Sequence, residues 1–233
     1  MGEHIADNFK REAMKVPFLR DLLLSDSIYV ASNITFENLA PLSTYLGKPG
    51  DPERGGIDIE EYIYRQRQHR EAEISAMADT RYFIERAKRV YSYDKFLCDT
   101  SGSLCEVVDT DKPCDPVMSH LSEDCLIVYI REEEAHREEL ARRFDLAPKP
   151  MYYNEAFLRE TWARYLAEHD VEPAKVDPDH FIRWAYRALL DWRAPRYRAM
   201  AQRWGYSVTM AEIAAVETVS DFDALIRQAI DRR

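Results

Sequence analysis

Apolar positions along the chain follow two rhythms. Most of the sequence is a mixture of apolar and charged residues at three- and four-residue steps, the spacing of amphipathic helices. Four compact runs break that pattern at long intervals: residues 27–32, 95–99, 125–130 and 206–210. Each is short and rich in β-branched or aromatic side chains, which is the signature of a strand bounded by turns. Strands that alternate with helices read as βαβ units. The pattern therefore predicts an α/β fold, with a mostly parallel sheet of about four strands sandwiched by helices and a helix-rich C-terminal half.

The helical stretches have readable limits. Residues 57–90 contain no Gly or Pro and predict one long helix or two abutting ones, with Ile59, Ile63, Ile74, Met77 and Ile84 as the apolar stripe. Residues 132–144 are almost entirely charged apart from Ala135, Leu140, Ala141 and Phe144, so this helix is expected to be largely solvated. From Asn154 onward the chain reads as nearly all helix, interrupted at Pro173, Pro178 and Pro195, up to the last strand and a closing helix over 221–232. Between the first two strands, residues 46–56 hold four glycines and two prolines and predict an ordered loop or a flexible flap. With no repeat or low-complexity tract, residues 1–233 are expected to form a single α/β domain, with 132–203 as a helical, lid-like region within it.

Composition narrows the function classes. The 233 residues carry 32 Lys+Arg against 42 Asp+Glu, a formal charge of −10, which disfavours broad non-specific binding to nucleic acid. A hydrophobic share of 46% with 14 Tyr, 9 Phe and 4 Trp can sustain a packed core. The longest apolar runs fall far short of the ~20 residues that span a bilayer, and no membrane association is expected. The first seven residues have neither a basic start nor an apolar stretch, so a cytoplasmic location is expected. Cys98, Cys105, Cys114 and Cys125 lack zinc-knuckle spacing and read as reduced structural thiols.

Candidate chemistry concentrates in the turn after the second predicted strand. There Asp99 ends an apolar run and is followed by Thr100, Ser101, Gly102 and Ser103. In open α/β sheets, ligands bind at the carboxyl ends of strands. Asp99 there suits a metal-binding or nucleophile-orienting carboxylate, and Ser101, Gly102 and Ser103 offer hydroxyls and backbone N–H groups to phosphate oxygens. The competing reading is an Asx turn that closes the strand. On the long helix, Tyr62, Gln66, His69, Glu73 and Met77 recur at helical steps. A half-buried His69–Glu73 pair suits acid/base work, and a helix-surface pair is the alternative. Arg131, Arg137, Arg142 and Arg143, in and beside the charged helix, suit a clamp on phosphate oxygens; intrahelical ion pairs with the intervening glutamates are the alternative. Arg183, Arg187, Arg193, Arg196, Arg198 and Arg203 interleave with Trp184, Tyr186, Trp192, Tyr197 and Trp204, an arrangement explained by base stacking or, with fewer assumptions, by aromatics packed inward.

Several segments together resemble an uncharacterised family of bacterial P-loop-type ATPases with kinase-like character. They are Val16 to Asp21, Ser25 to Thr35, the Tyr45 to Gly50 loop, His69 to Ile74, and Cys98 to Ser103. The resemblance runs from about Ile5 to about Arg131 and more loosely beyond. It implies an ATPase or small-molecule kinase-like activity, ATP and Mg²⁺ as ligands, Asp99 as a metal-associated carboxylate and the arginine helix as a lid. The chain departs from that family at one place. It contains no Gly-x-x-x-x-Gly-Lys-Ser/Thr, and Gly47-Lys48 is followed by Pro49 between predicted helices. The expectation is therefore a form lacking the first strand–loop–helix unit, or a relative that has lost nucleotide binding, with an exposed groove or unusual edge beside residues 95–99. The alternative is a non-catalytic interaction or regulatory domain that meets a protein partner through its aromatic C-terminal helices.

Overall fold

The computed structural model describes residues 28–30, 39–41, 43–92, 95–98 and 100–232. In chain order they form β1 (Ile28–Val30), β2 (Leu39–Pro41), α1 (Ser43–Leu46), α2 (Ile59–Ala78), α3 (Thr80–Tyr91), α4 (Leu104–Val107), α5 (Pro116–Asp124), β3 (Ile127–Arg131), α6 (Glu134–Leu146), α7 (Glu155–His169), α8 (Pro178–Trp204), β4 (Gly205–Thr209), α9 (Met210–Ala214) and α10 (Val219–Asp231). The chain divides into two compact units, residues 1–107 with 148–182, and residues 108–147 with 183–233.

The fold is mostly helical, and the four-strand parallel sandwich is not formed. Among the described residues there is one parallel pair, β3 with β4, and one antiparallel pair, β1 with β2. Two physical reasons account for the difference. Only eight residues separate β1 from β2, and a parallel crossover needs a dozen or more, so neighbours this close pair antiparallel. Residues 95–98 make no ladder, and their apolar side chains face solvent, with Leu97 81% exposed. Without a neighbouring strand to bury it, a short apolar run has no reason to become a sheet element. The unusual edge expected beside 95–99 therefore has no strand to belong to.

The first unit is organised around α2. Asp58 caps its N-terminus by accepting from the Glu60 and Glu61 N–H groups, and the helix ends at Asp79, where α3 begins, so 57–90 is two abutting helices. Its most buried residues are Tyr62, Ile63, Gln66 and His69, while Ile59, Ile74, Met77 and Ile84 are only half-buried. Leu158, Trp162 and Tyr165 of α7 and Phe181 and Ile182 of α8 complete this core, with Trp162 edge-on to Phe181 at 4.8 Å between ring centres. The loop over 47–56 is ordered: Gly50 N–H donates to Ile57 O, Ile57 N–H to Lys48 O, and Asp51 N–H to Val176 O. Gly50 has φ +139°, and a Cβ there would stand 2.5 Å from Val176 O, so no side chain fits. Lys48 is held by Asp179 at 2.5 Å and by Pro148 O at 3.1 Å.

The second unit is a small layered arrangement. β3 and β4 run parallel in register from Ile127 opposite Gly205 to Arg131 opposite Thr209. On one side, Val128, Tyr206 and Val208 pack with Ile213, Val216, Leu225 and Ala229 from α9, α10 and their connection. On the other, Tyr129 stacks on Tyr197 of α8 at 5.6 Å. Helix α6 lies where the charged segment predicts it, with Phe144 buried and stacked on Tyr186 at 4.0 Å.

Candidate functional site

The sequence-predicted residues separate into two places, one in each unit. In the first unit, α2 and the short turn before α4 bring three of them together. Ser103 Oγ donates to Glu73 Oε1, and His69 Nε2 stands 3.4 Å from the same oxygen. The His69 ring rests on Tyr152 at 4.7 Å. His69 Nδ1 and Glu73 Oε2 are buried and meet no hydrogen-bond partner among the described residues. Buried polar atoms are normally satisfied, so these two atoms set the cluster apart from an ordinary packed ion pair. It is an internal pair and not the helix-surface pair that spacing alone allows. Gly102 is exposed on the same turn. Asp99 and the side chain of Ser101 lie outside the described residues, so the metal-associated role expected of Asp99 has no geometry to set beside it.

The arginine series behaves differently along its length. Arg142 and Arg143 both bind Glu139 of their own helix, at 2.7 and 2.6 Å, which holds the Glu139 carboxyl down to about 2. Arg137 is bonded to Asp191 and faces Glu134 at 3.5 Å. All three are engaged as ion pairs rather than offered to a ligand. Arg131 is the last residue of β3, and its guanidinium makes no hydrogen bond or ion pair among the described residues. Of the later series, Arg183 donates to Asp145 O, Arg187 pairs with Asp145, and Arg196 lies over Trp192 at 4.2 Å. These contacts match the packed reading of the aromatic stretch and not a base-stacking face.

Arg131 opens into a cleft of about 340 Å³ that sequence reasoning did not single out. Its lining is Tyr129, Arg131, Glu132, Glu133, Arg198 and Thr209. The parallel register places Arg131 and Thr209 side by side at the carboxyl ends of β3 and β4. Arg198 enters from α8 one residue after Tyr197, the ring that stacks on Tyr129; its Nε donates to Ala194 O, and it pairs with no carboxylate among the described residues. Tyr129 OH donates to Glu132, and burial together with that carboxylate pushes its pKa up. Thr209 caps α9 by accepting the Glu212 N–H at 3.1 Å. Part of the signal was present in the sequence, which offers Arg131 as a phosphate clamp, but only the pairing of β3 with β4 brings Thr209 beside it. Arg198 was hidden among the five other arginines of its stretch.

Two guanidinium groups without carboxylate partners among the described residues, lining one cleft, suit a phosphate or another oxyanion. Glu132 and Glu133 give the same cleft a negative side, and the Glu133 carboxylate makes no hydrogen bond or ion pair among the described residues. Mg²⁺ is held by one or two carboxylates together with substrate phosphates, so this donor set fits a metal-bound polyphosphate. No helix among the described residues is long and apolar enough to cross a membrane. Compared with known proteins, the chain matches no family model, no curated protein and no solved structure.

Proposed function

We propose that this chain is an ATP-handling protein, an ATPase or small-molecule kinase-like protein acting in the cytoplasm, and that the cleft at the ends of β3 and β4 takes the phosphates. The observation that carries this reading is the pair Arg131, at the end of β3, and Arg198, from α8, two guanidinium groups that line one cleft without carboxylate partners among the described residues. In phosphoryl transfer the protein contributes mainly positioning and charge neutralisation, and these two side chains supply both. Glu132 and Glu133 would hold Mg²⁺, which when bound neutralises phosphate charge. The missing Gly-x-x-x-x-Gly-Lys-Ser/Thr leaves the cleft without a backbone cradle, so binding is expected to outlast turnover in this chain. Thermal denaturation of the purified chain with ATP and Mg²⁺ tests the reading. ATP should raise the melting temperature, and Arg131→Ala and Arg198→Ala should each remove the rise. An equal rise in both variants, or none in the parent chain, overturns it. A second reading, a non-catalytic interaction domain with a protein partner, draws on the large apolar side chains at the surface, Leu97, Leu146 and Val219. It gains ground if ATP has no effect.

A further inference from the structure

Resting on the phosphate reading above, we infer that the cleft at the ends of β3 and β4 recognises a linked di- or triphosphate group and leaves the nucleoside unread. ATP, other nucleoside triphosphates and inorganic tripolyphosphate are then equivalent ligands of one site.

What the cleft can offer a ligand follows from what its lining side chains already do. Thr209 Oγ1 accepts the Glu212 N–H and donates to the Glu212 carboxylate, so its hydroxyl is used in both directions. Tyr129 gives its hydroxyl to Glu132 and stacks its ring on Tyr197. Glu132 also lies close enough to Arg137 for part of its charge to be offset. The Nε of Arg198 donates to Ala194 O, which leaves its two terminal nitrogens, while the guanidinium of Arg131 makes no hydrogen bond or ion pair among the described residues. The donors that remain are therefore guanidinium N–H groups, carried by β3 and by α8. A planar guanidinium binds one phosphoryl group through two parallel bonds, so two of them match two linked phosphates.

Reading a base calls for an apolar or aromatic slot, and the strand pair has committed that kind of surface to its other face. Side chains alternate across a strand. Val128, Tyr206 and Val208 pack into the core of the second unit, while Tyr129, Arg131 and Thr209 line the cleft. Of the six lining residues four are charged and none is aliphatic, and the one aromatic ring is already stacked. A nucleoside attached to phosphates held between Arg131 and Arg198 therefore meets no slot among the lining residues.

The experiment is titration calorimetry of the full chain with ATP, GTP and inorganic tripolyphosphate, each at the same Mg²⁺ concentration. A stacked base alone raises affinity about fivefold to a hundredfold, so a site that reads the base favours a nucleotide over tripolyphosphate by at least the lower factor. Here tripolyphosphate should bind no more than about fivefold weaker than either nucleotide, and ATP and GTP should agree within the same factor. Arg131→Ala and Arg198→Ala should each weaken all three ligands by about tenfold or more. A nucleotide that binds more than about fivefold tighter than tripolyphosphate, or a split of that size between ATP and GTP, overturns this inference. The phosphate reading stands in that case if both variants still weaken binding. Silence from all three ligands, or binding that both variants retain, overturns the two together.

Discussion

Gln66 shows how a single polar side chain can decide the packing of a helix. Its amide donates to Met151 O at 3.1 Å and accepts the Tyr153 N–H at 2.9 Å, while Tyr62 OH donates to the same Met151 oxygen at 2.8 Å. Residues 151–153 are irregular backbone, with Tyr152 and Tyr153 buried, and buried peptide groups without a ladder need partners from somewhere. Tyr62 and Gln66 meet that need, and they are therefore more buried than most of the apolar stripe beside them. Gln66→Leu keeps the volume roughly constant but strands the Tyr153 N–H. It is expected to cost about 1–3 kcal/mol in urea unfolding, and an unchanged midpoint would show that water replaces the amide.

At the scale of elements, the contact between β3 and β4 depends on one residue without a side chain. A Cβ on Gly205 would stand 2.4 Å from Ile127 O and 2.8 Å from Ile127 Cβ, so the register that places Arg131 beside Thr209 closes at its other end only because position 205 is bare. Gly205→Ala is expected to destabilise the second unit by about 3 kcal/mol and, by shifting the strands, to weaken ATP binding together with stability. A variant with parent-like unfolding would separate the strand pairing from Gly205. Elements with dense internal signals were legible in the sequence. The proline-free run 57–90 became two helices, and the strands over 125–130 and 206–210 formed within a residue or two of their expected places. Pairing was not legible, because whether 95–99 joins a sheet depends on a neighbour that local sequence does not specify. The glycines of 47–56 were legible as a loop, but the close approach of Gly50 to Val176 was visible only in three dimensions.

Across the whole molecule, the excess of acid in a chain of charge −10 is managed by arginine, and this sets how the protein should respond to acid. In the first unit, Arg67 grips Glu155 through two bonds of 2.7 Å, and Arg159 reaches both Glu155 and Glu60, tying α2 to α7. Arg67, and then Arg159, holds the Glu155 carboxyl down to about 2. In the second unit, the Thr209 N–H and Arg232 do the same for Glu212. A carboxylate whose folded pKa is depressed stabilises the protein above its unfolded value, near 4.3, and that contribution is lost as pH falls through the folded value. Stability should therefore hold at neutral pH and decline between about pH 4.5 and pH 2. The Glu155 side chain is 35% exposed, so solvent screens the network and its share is about 0.5–1 kcal/mol, well below what the displacement alone would suggest. Glu155→Gln should lower the unfolding free energy at pH 7 by that small amount, and its curve should converge with the parent's as the pH falls through about 2, where the Glu155 carboxyl takes up its proton. A difference that stays constant from pH 7 to pH 2 would mean that Glu155 contributes by packing and not by its charge.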